Sequence, residues 1–170
     1  VDSDLFQYVY EHRDEFYSIY GERDVKRKIQ NVWGGGANRF VNKEGDQLVL
    51  DKKGFKRYVK RMEKANVDGW EDIASGAEMM NAEKLGDWKT YIALGTERIK
   101  QGKVSDLLLY NWGLRVNKQC KDKALRLLAA QWFDDAAVKA AKNEVEGKGN
   151  MMSYRTFFEK LAKDLKADVQ

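Results

Sequence analysis

Few residues in this chain could do covalent or acid–base chemistry. One cysteine, Cys120, and one histidine, His12, stand among 170 residues. A single thiol excludes an internal disulfide, a Cys-x-x-Cys redox pair and a cysteine zinc cluster within this stretch. A Cys–His nucleophile would need His12 and Cys120 to meet in space, and no motif surrounds either of them. Cys120 lies in "KQCKDK", where neighbouring lysines would lower the pKa of an exposed thiol; inert core is the simpler expectation. His12 falls on the apolar stripe of the first predicted helix and reads as a packing residue rather than a base or ligand. Asp134 and Asp135 are neighbours, so on a helix they point about 100° apart and form no acid–base pair. No catalytic residue, metal ligand or cofactor site is expected.

Two further stretches invite a binding role. "WGGGANRF" at 33–40 is glycine-rich, but it lacks GxxxxGK[ST] and GxGxxG and follows no buried strand, so it reads as a helix break rather than a phosphate loop. "DKKGFKRYVKRMEKAN" at 51–66 carries Lys52, Lys53, Lys56, Arg57, Lys60, Arg61 and Lys64, with Glu63 the only acid among them. Such a basic face either solvates a helix or meets an acidic polymer or anionic surface. Nucleic acid is disfavoured, because Phe55 and Tyr58 are needed for packing and no nucleic-acid fold pattern appears. A net charge of +4 arises from 31 basic and 27 acidic residues, a weak pull toward any polyanion.

The elements that would position these residues are helices. Proline is absent and apolar residues recur every three or four positions. Ser3 caps a first helix carrying Leu5, Val9, His12, Phe16 and Ile19, which Gly21 stops. A second stripe is Val25, Ile29, Val32 and Trp33. Asp51 caps the basic helix, whose inner face is Phe55, Val59, Met62 and Ala65. "DGWE" at 68–71 reads as a capping box opening a helix with Trp70, Ile73, Ala74, Ala77 and Met80 inward. Gly86 and Asp87 stop one helix and cap the next, which carries Trp88, Tyr91, Ile92, Gly95 and Ile99 and ends at Gly102. Ser105 and Asp122 start the following two, the second of them through Leu125, Leu128, Ala129, Trp132 and Ala136. A last helix, from about Ser153 to Ala167, would bury Tyr154, Phe157, Phe158, Leu161 and Leu165. No run of about 18 apolar residues exists for a membrane span, and the chain reads as soluble.

Trp70, Trp88, Trp112 and Trp132 are spaced 18, 24 and 20 residues apart, close to one large anchor per helix. That spacing predicts an all-α fold of stacked antiparallel helix pairs, a tetratricopeptide-like superhelix of about seven to eight helices. It is read as one helical-repeat domain over 1–170, with leading helices in 1–42 and stacked pairs in 51–170. A stacked array presents its inner helices to partners, so Trp88, Tyr91, Tyr110, Trp112 and Arg115 are the predicted partner contacts. Another protein, or an adjacent domain, is the expected partner. The chain opens at Val1 without methionine or leader, as a piece of a longer protein would.

The stretch "DSDLFQYVYEHRDEFYSIYGERDVKRKIQNVW" at 2–33, with the later "NWGLRVNKQCKDKALRLLAAQWFDDA", resembles the helical C-terminal region of bacterial envelope proteins that begin with a thioredoxin-like domain. The resemblance implies a periplasmic or envelope location and an adjacent thioredoxin-like domain, whose Cys-x-x-Cys would lie upstream. It implies a supporting role, positioning that redox domain or holding a client. Alternatively, the whole protein is a thiol-disulfide oxidoreductase whose substrate choice this region tunes. No catalytic position carries over, since Cys120 matches no such motif.

Overall fold

Helices account for most of the fold, as the spacing of apolar residues predicts. The structure, a computed structural model, describes residues 1–145 and 154–167. Among the described residues are nine α-helices and one antiparallel hairpin, an all-α fold with a small two-stranded sheet. The chain divides into two compact units, Val1–Leu85 and Gly86–Gln170.

The first unit contains α1 (Asp4–Glu11), α2 (Arg13–Tyr20), α3 (Glu22–Ala37), β1 (Val41–Glu44), β2 (Gln47–Leu50), α4 (Lys52–Lys64) and α5 (Trp70–Leu85). Ser3 caps α1 by accepting from Phe6 N at 3.2 Å, and Asp51 caps α4 by accepting from Gly54 N at 2.8 Å, both as the sequence predicts. The single first helix is in fact two. His12 leaves helical geometry (φ −102°, ψ 21°), with its ring stacked on Tyr8 at 4.2 Å and its Nδ1 2.9 Å from the Tyr8 carbonyl. Such a side-chain bond to the preceding turn competes with helix continuation.

The expected break at the glycines is also absent, since α3 runs through 34–36 to Ala37. Gly36 serves close approach instead. The Tyr58 hydroxyl of α4 lies against it and donates to the Trp33 carbonyl at 2.8 Å, and a Cβ there would overlap the phenol. Around this bond Val25, Ile29, Trp33, Ala37, Tyr58, Met62, Val67 and Ala77 form the core. Phe6, Tyr10 and Tyr58 ring Trp33 at centroid distances of 6.3, 6.4 and 5.5 Å.

The hairpin pairs Val41 with Leu50 and Glu44 with Gln47, leaving Gly45 (φ 62°) and Asp46 as its loop. Its strands have four residues each and are mostly exposed, which explains why no alternating apolar pattern announces them. The capping box at 68–71 does not form. The Asp68 carboxylate turns to Lys26 at 3.5 Å and α5 starts only at Trp70, one residue later than that box requires.

In the second unit α8 (Lys123–Val145) packs against α6 (Trp88–Lys100), α7 (Asp106–Gln119) and α9 (Arg155–Ala167). Asp87, Ser105 and Asp122 cap their helices as expected, accepting at 3.1, 3.3 and 3.0 Å, and Gly86 and Gly102 adopt positive φ at the stops. Ser153 lies outside the described residues. Leu128 and Phe157, predicted inward, are exposed, and on α8 it is Arg126 that occupies the buried position of the turn holding Leu128. Its guanidinium reaches the Asn117 carbonyl at 3.0 Å, Asn117 Oδ1 at 2.9 Å, the Cys120 carbonyl at 3.3 Å, and the Asp164 and Leu165 carbonyls at 3.0 and 3.4 Å. One cation thus collects the negative carbonyl ends of α7 and α9.

Two stability measurements follow from these contacts. Tyr58→Phe is expected to cost about 1 kcal/mol in urea denaturation, the usual net worth of one hydrogen bond. Gly36→Ala should cost more, and the double variant less than both together, because each change disrupts one contact. Arg126→Met should cost about 3 kcal/mol or more, since each buried carbonyl left without its donor costs roughly 1–3 kcal/mol. Additive costs for the first pair, or a neutral Arg126→Met, would contradict the packing described.

Candidate functional site

Apolar side chains left uncovered by the fold collect on α1, α2 and α3. The two short helices pack one face on α3 and leave the other open. Leu5, Phe6 and Val9 of α1, Phe16 and Tyr20 of α2, and Val25, Ile29 and Val32 of α3 line a groove of about 670 Å³. That volume falls in the usual range for ligand sites, about 300–1,000 Å³. Its rim is open, with Leu5 74% exposed, Tyr20 64% and Val32 39%. Asp24, Arg27 and Lys28 supply the charge along it. Arg27 is engaged by Asp24 at 2.9 Å, whereas Lys28 forms no ion pair among the described residues.

The side chains predicted to contact a partner are placed differently from one another. Tyr91 is 1% exposed and Trp112 is 6%, so neither offers surface. Trp112 packs on Trp132 at 6.3 Å, and Tyr91 on a half-buried Trp88 at 5.2 Å. Tyr110 is half-buried against Tyr154 and Phe157 at 6.2 and 5.4 Å. Arg115 is exposed on α7. Most of the aromatic surface in this set is spent inside the second unit.

The basic residues fare otherwise. Lys52, Lys53, Lys56, Arg57, Lys60, Arg61 and Lys64 are all exposed along α4, while Gly54, Tyr58 and Met62 are buried. Arg61 and Arg39 share Asp2 at 2.6 and 3.1 Å, with Arg61 over the Trp33 ring and Arg39 over Tyr58 at 5.7 and 5.4 Å. The hydrogen bond from Arg61, then that from Arg39, holds the Asp2 carboxyl below its ordinary 3.8. Burial pushes the Tyr58 hydroxyl up to about 12, so it remains a donor to Trp33.

Cys120 is buried, its Sγ 3.9 Å from the Asp122 carbonyl, and burial raises its thiol pKa. The adjacent lysines do not activate it. Among the described residues no three His, Cys, Asp or Glu side chains converge as a metal site, and no helix is long and apolar enough to cross a membrane.

The groove escapes sequence reading because Leu5, Phe16 and Val32 are indistinguishable there from core. The one available signal was surplus. Two eight-residue helices carry more large apolar side chains than one contact with α3 can cover.

Compared with protein-family models, curated proteins and solved structures, the chain matches none.

Three outcomes test this description. Cys120 should resist a thiol reagent at mildly alkaline pH until denaturant is added, and prompt labelling of the folded chain would contradict its burial. Lys60→Glu should raise stability by roughly 0.3–1 kcal/mol, since it replaces like-charge neighbours at Lys56 and Lys64 with opposite ones. The Asp2 bridge is complete above pH 3.8 and is lost as pH falls through its lowered value. Asp2→Asn should therefore lower the melting temperature at neutral pH and converge on wild type in strong acid.

Proposed function

We propose that this chain is a non-catalytic helical interaction module, and that the α1–α3 groove is where its partner binds. The groove carries the reading. Its walls are apolar, and its rim exposes Leu5, Tyr20 and Val32, side chains that gain roughly 1.5–3 kcal/mol each on full burial. The occupant is an amphipathic helix of another protein, with apolar anchors for the groove and a carboxylate for Lys28. The buried, deactivated Cys120 supports a role without thiol chemistry in this chain. Through the resemblance of residues 2–33, the module belongs to a bacterial envelope protein with a thioredoxin-like domain, where it holds a client or positions that domain.

Selection from a library of amphipathic helical peptides on the folded chain tests the proposal. Binders should share apolar residues at i and i+4 beside an acid, and Leu5→Glu with Val32→Glu should weaken them at least tenfold. Charge reversal at Lys28 should cost less, with steep salt dependence. Binders unaffected by Leu5→Glu and Val32→Glu, or reduction of insulin disulfides catalysed by this chain, would refute it.

A further inference from the structure

The outer face of α4 keeps an arrangement that costs the helix stability. Lys52, Lys56, Lys60 and Lys64 form one stripe at i, i+4 spacing, and Lys53, Arg57 and Arg61 a second beside it. Like charges four residues apart repel, and the usual remedy is an interleaved acid. None is provided. Asp51 is occupied capping Gly54, and Asp2 engages only Arg61 and Arg39. Lys52, Lys53, Lys56, Arg57, Lys60 and Lys64 form no ion pair among the described residues. A local rule broken without internal compensation points outward.

We propose that this face docks the chain on an anionic bilayer by charge alone. The shape of the surface selects that partner. The stripes run about 18 Å along a straight helix at 1.5 Å per residue. None of their residues lines the groove of α1–α3, so the face suits an extended flat surface. The apolar side of the helix, Tyr58 and Met62, is locked in the core and has nothing to insert into hydrocarbon. Five of the six unpaired cations are lysines, point charges without the fork that reads base edges. No exposed aromatic on α4 offers a stacking platform to single-stranded nucleic acid.

The test is co-sedimentation of the full chain with vesicles of phosphatidylcholine alone or of equimolar phosphatidylcholine and phosphatidylglycerol. Binding to the charged vesicles should be at least about tenfold tighter at low salt and vanish near 0.5 M, where screening shortens to a few ångströms. Lys56→Glu, Lys60→Glu and Lys64→Glu together should abolish it, with helicity by circular dichroism unchanged. Lys118→Glu, Lys139→Glu and Lys160→Glu, the same change in net charge on the second unit, should leave most of it. Equal binding to neutral vesicles, equal loss in both triple variants, or no binding to either vesicle overturns the proposal. Retention of a DNA duplex or of polyglutamate by a chain that ignores the charged vesicles overturns it too, in favour of that polymer.

Discussion

The first unit hangs on the bond between Tyr58 and the Trp33 carbonyl, made across the bare backbone of Gly36. It joins the middle of α4 to the C-terminal turns of α3, and those two helices carry the two surfaces of interest. With Tyr58 buried, the basic residues of α4 have only the outside to occupy. With Trp33 fixed, Val25, Ile29 and Val32 are held as one wall of the groove. The Asp2, Arg39 and Arg61 cluster lies over the same aromatic rings and ties the start of the chain down beside them. A hydroxyl whose pKa stands near 12 does not lose its proton at any ordinary pH, so this joint is insensitive to the acidity of its surroundings.

The second unit solves its packing differently. There the joint is a cation, Arg126, inserted among backbone carbonyls at the ends of α7 and α9. Aromatic residues fill much of the core of this unit, and Gly113 leaves room for the Phe133 ring as Gly36 does for Tyr58. The rings of Trp112, Trp132, Phe133 and Phe158 contact one another in a continuous series. Aromatic residues used in this way stabilise a core and leave little to offer a partner.

Helix content, most caps and the glycine stops were legible because each depends on residues within a few positions. Ser3, Asp51, Asp87, Ser105 and Asp122 cap what they were expected to cap. Features set by distant residues were not legible. Nothing near 34–36 says that a tyrosine 22 residues beyond Gly36 needs the space above it, so a continuous helix read as a break. The hairpin of β1 and β2 was hidden because its strands bury too little to alternate. Arg126 stands in the apolar stretch "ALRLLAAQWF" at 124–133 and is a buried joint, since its acceptors come from two other helices. The same limit applied to function. Periodicity marked Leu5 and Val32 as inward-facing, and only the packing of three helices shows that their common face is open.

The central claim is that the open apolar face of α1–α3, rather than the aromatics of α6 and α7, receives the partner. Amide chemical-shift mapping of the whole chain, titrated with the apolar-surface dye 8-anilinonaphthalene-1-sulfonate, tests it most directly. The account predicts the largest shifts at Leu5, Val9, Tyr20 and Val32, saturating together. Shifts centred on Trp88, Tyr110 and Arg115, with α1–α3 unmoved, would contradict it.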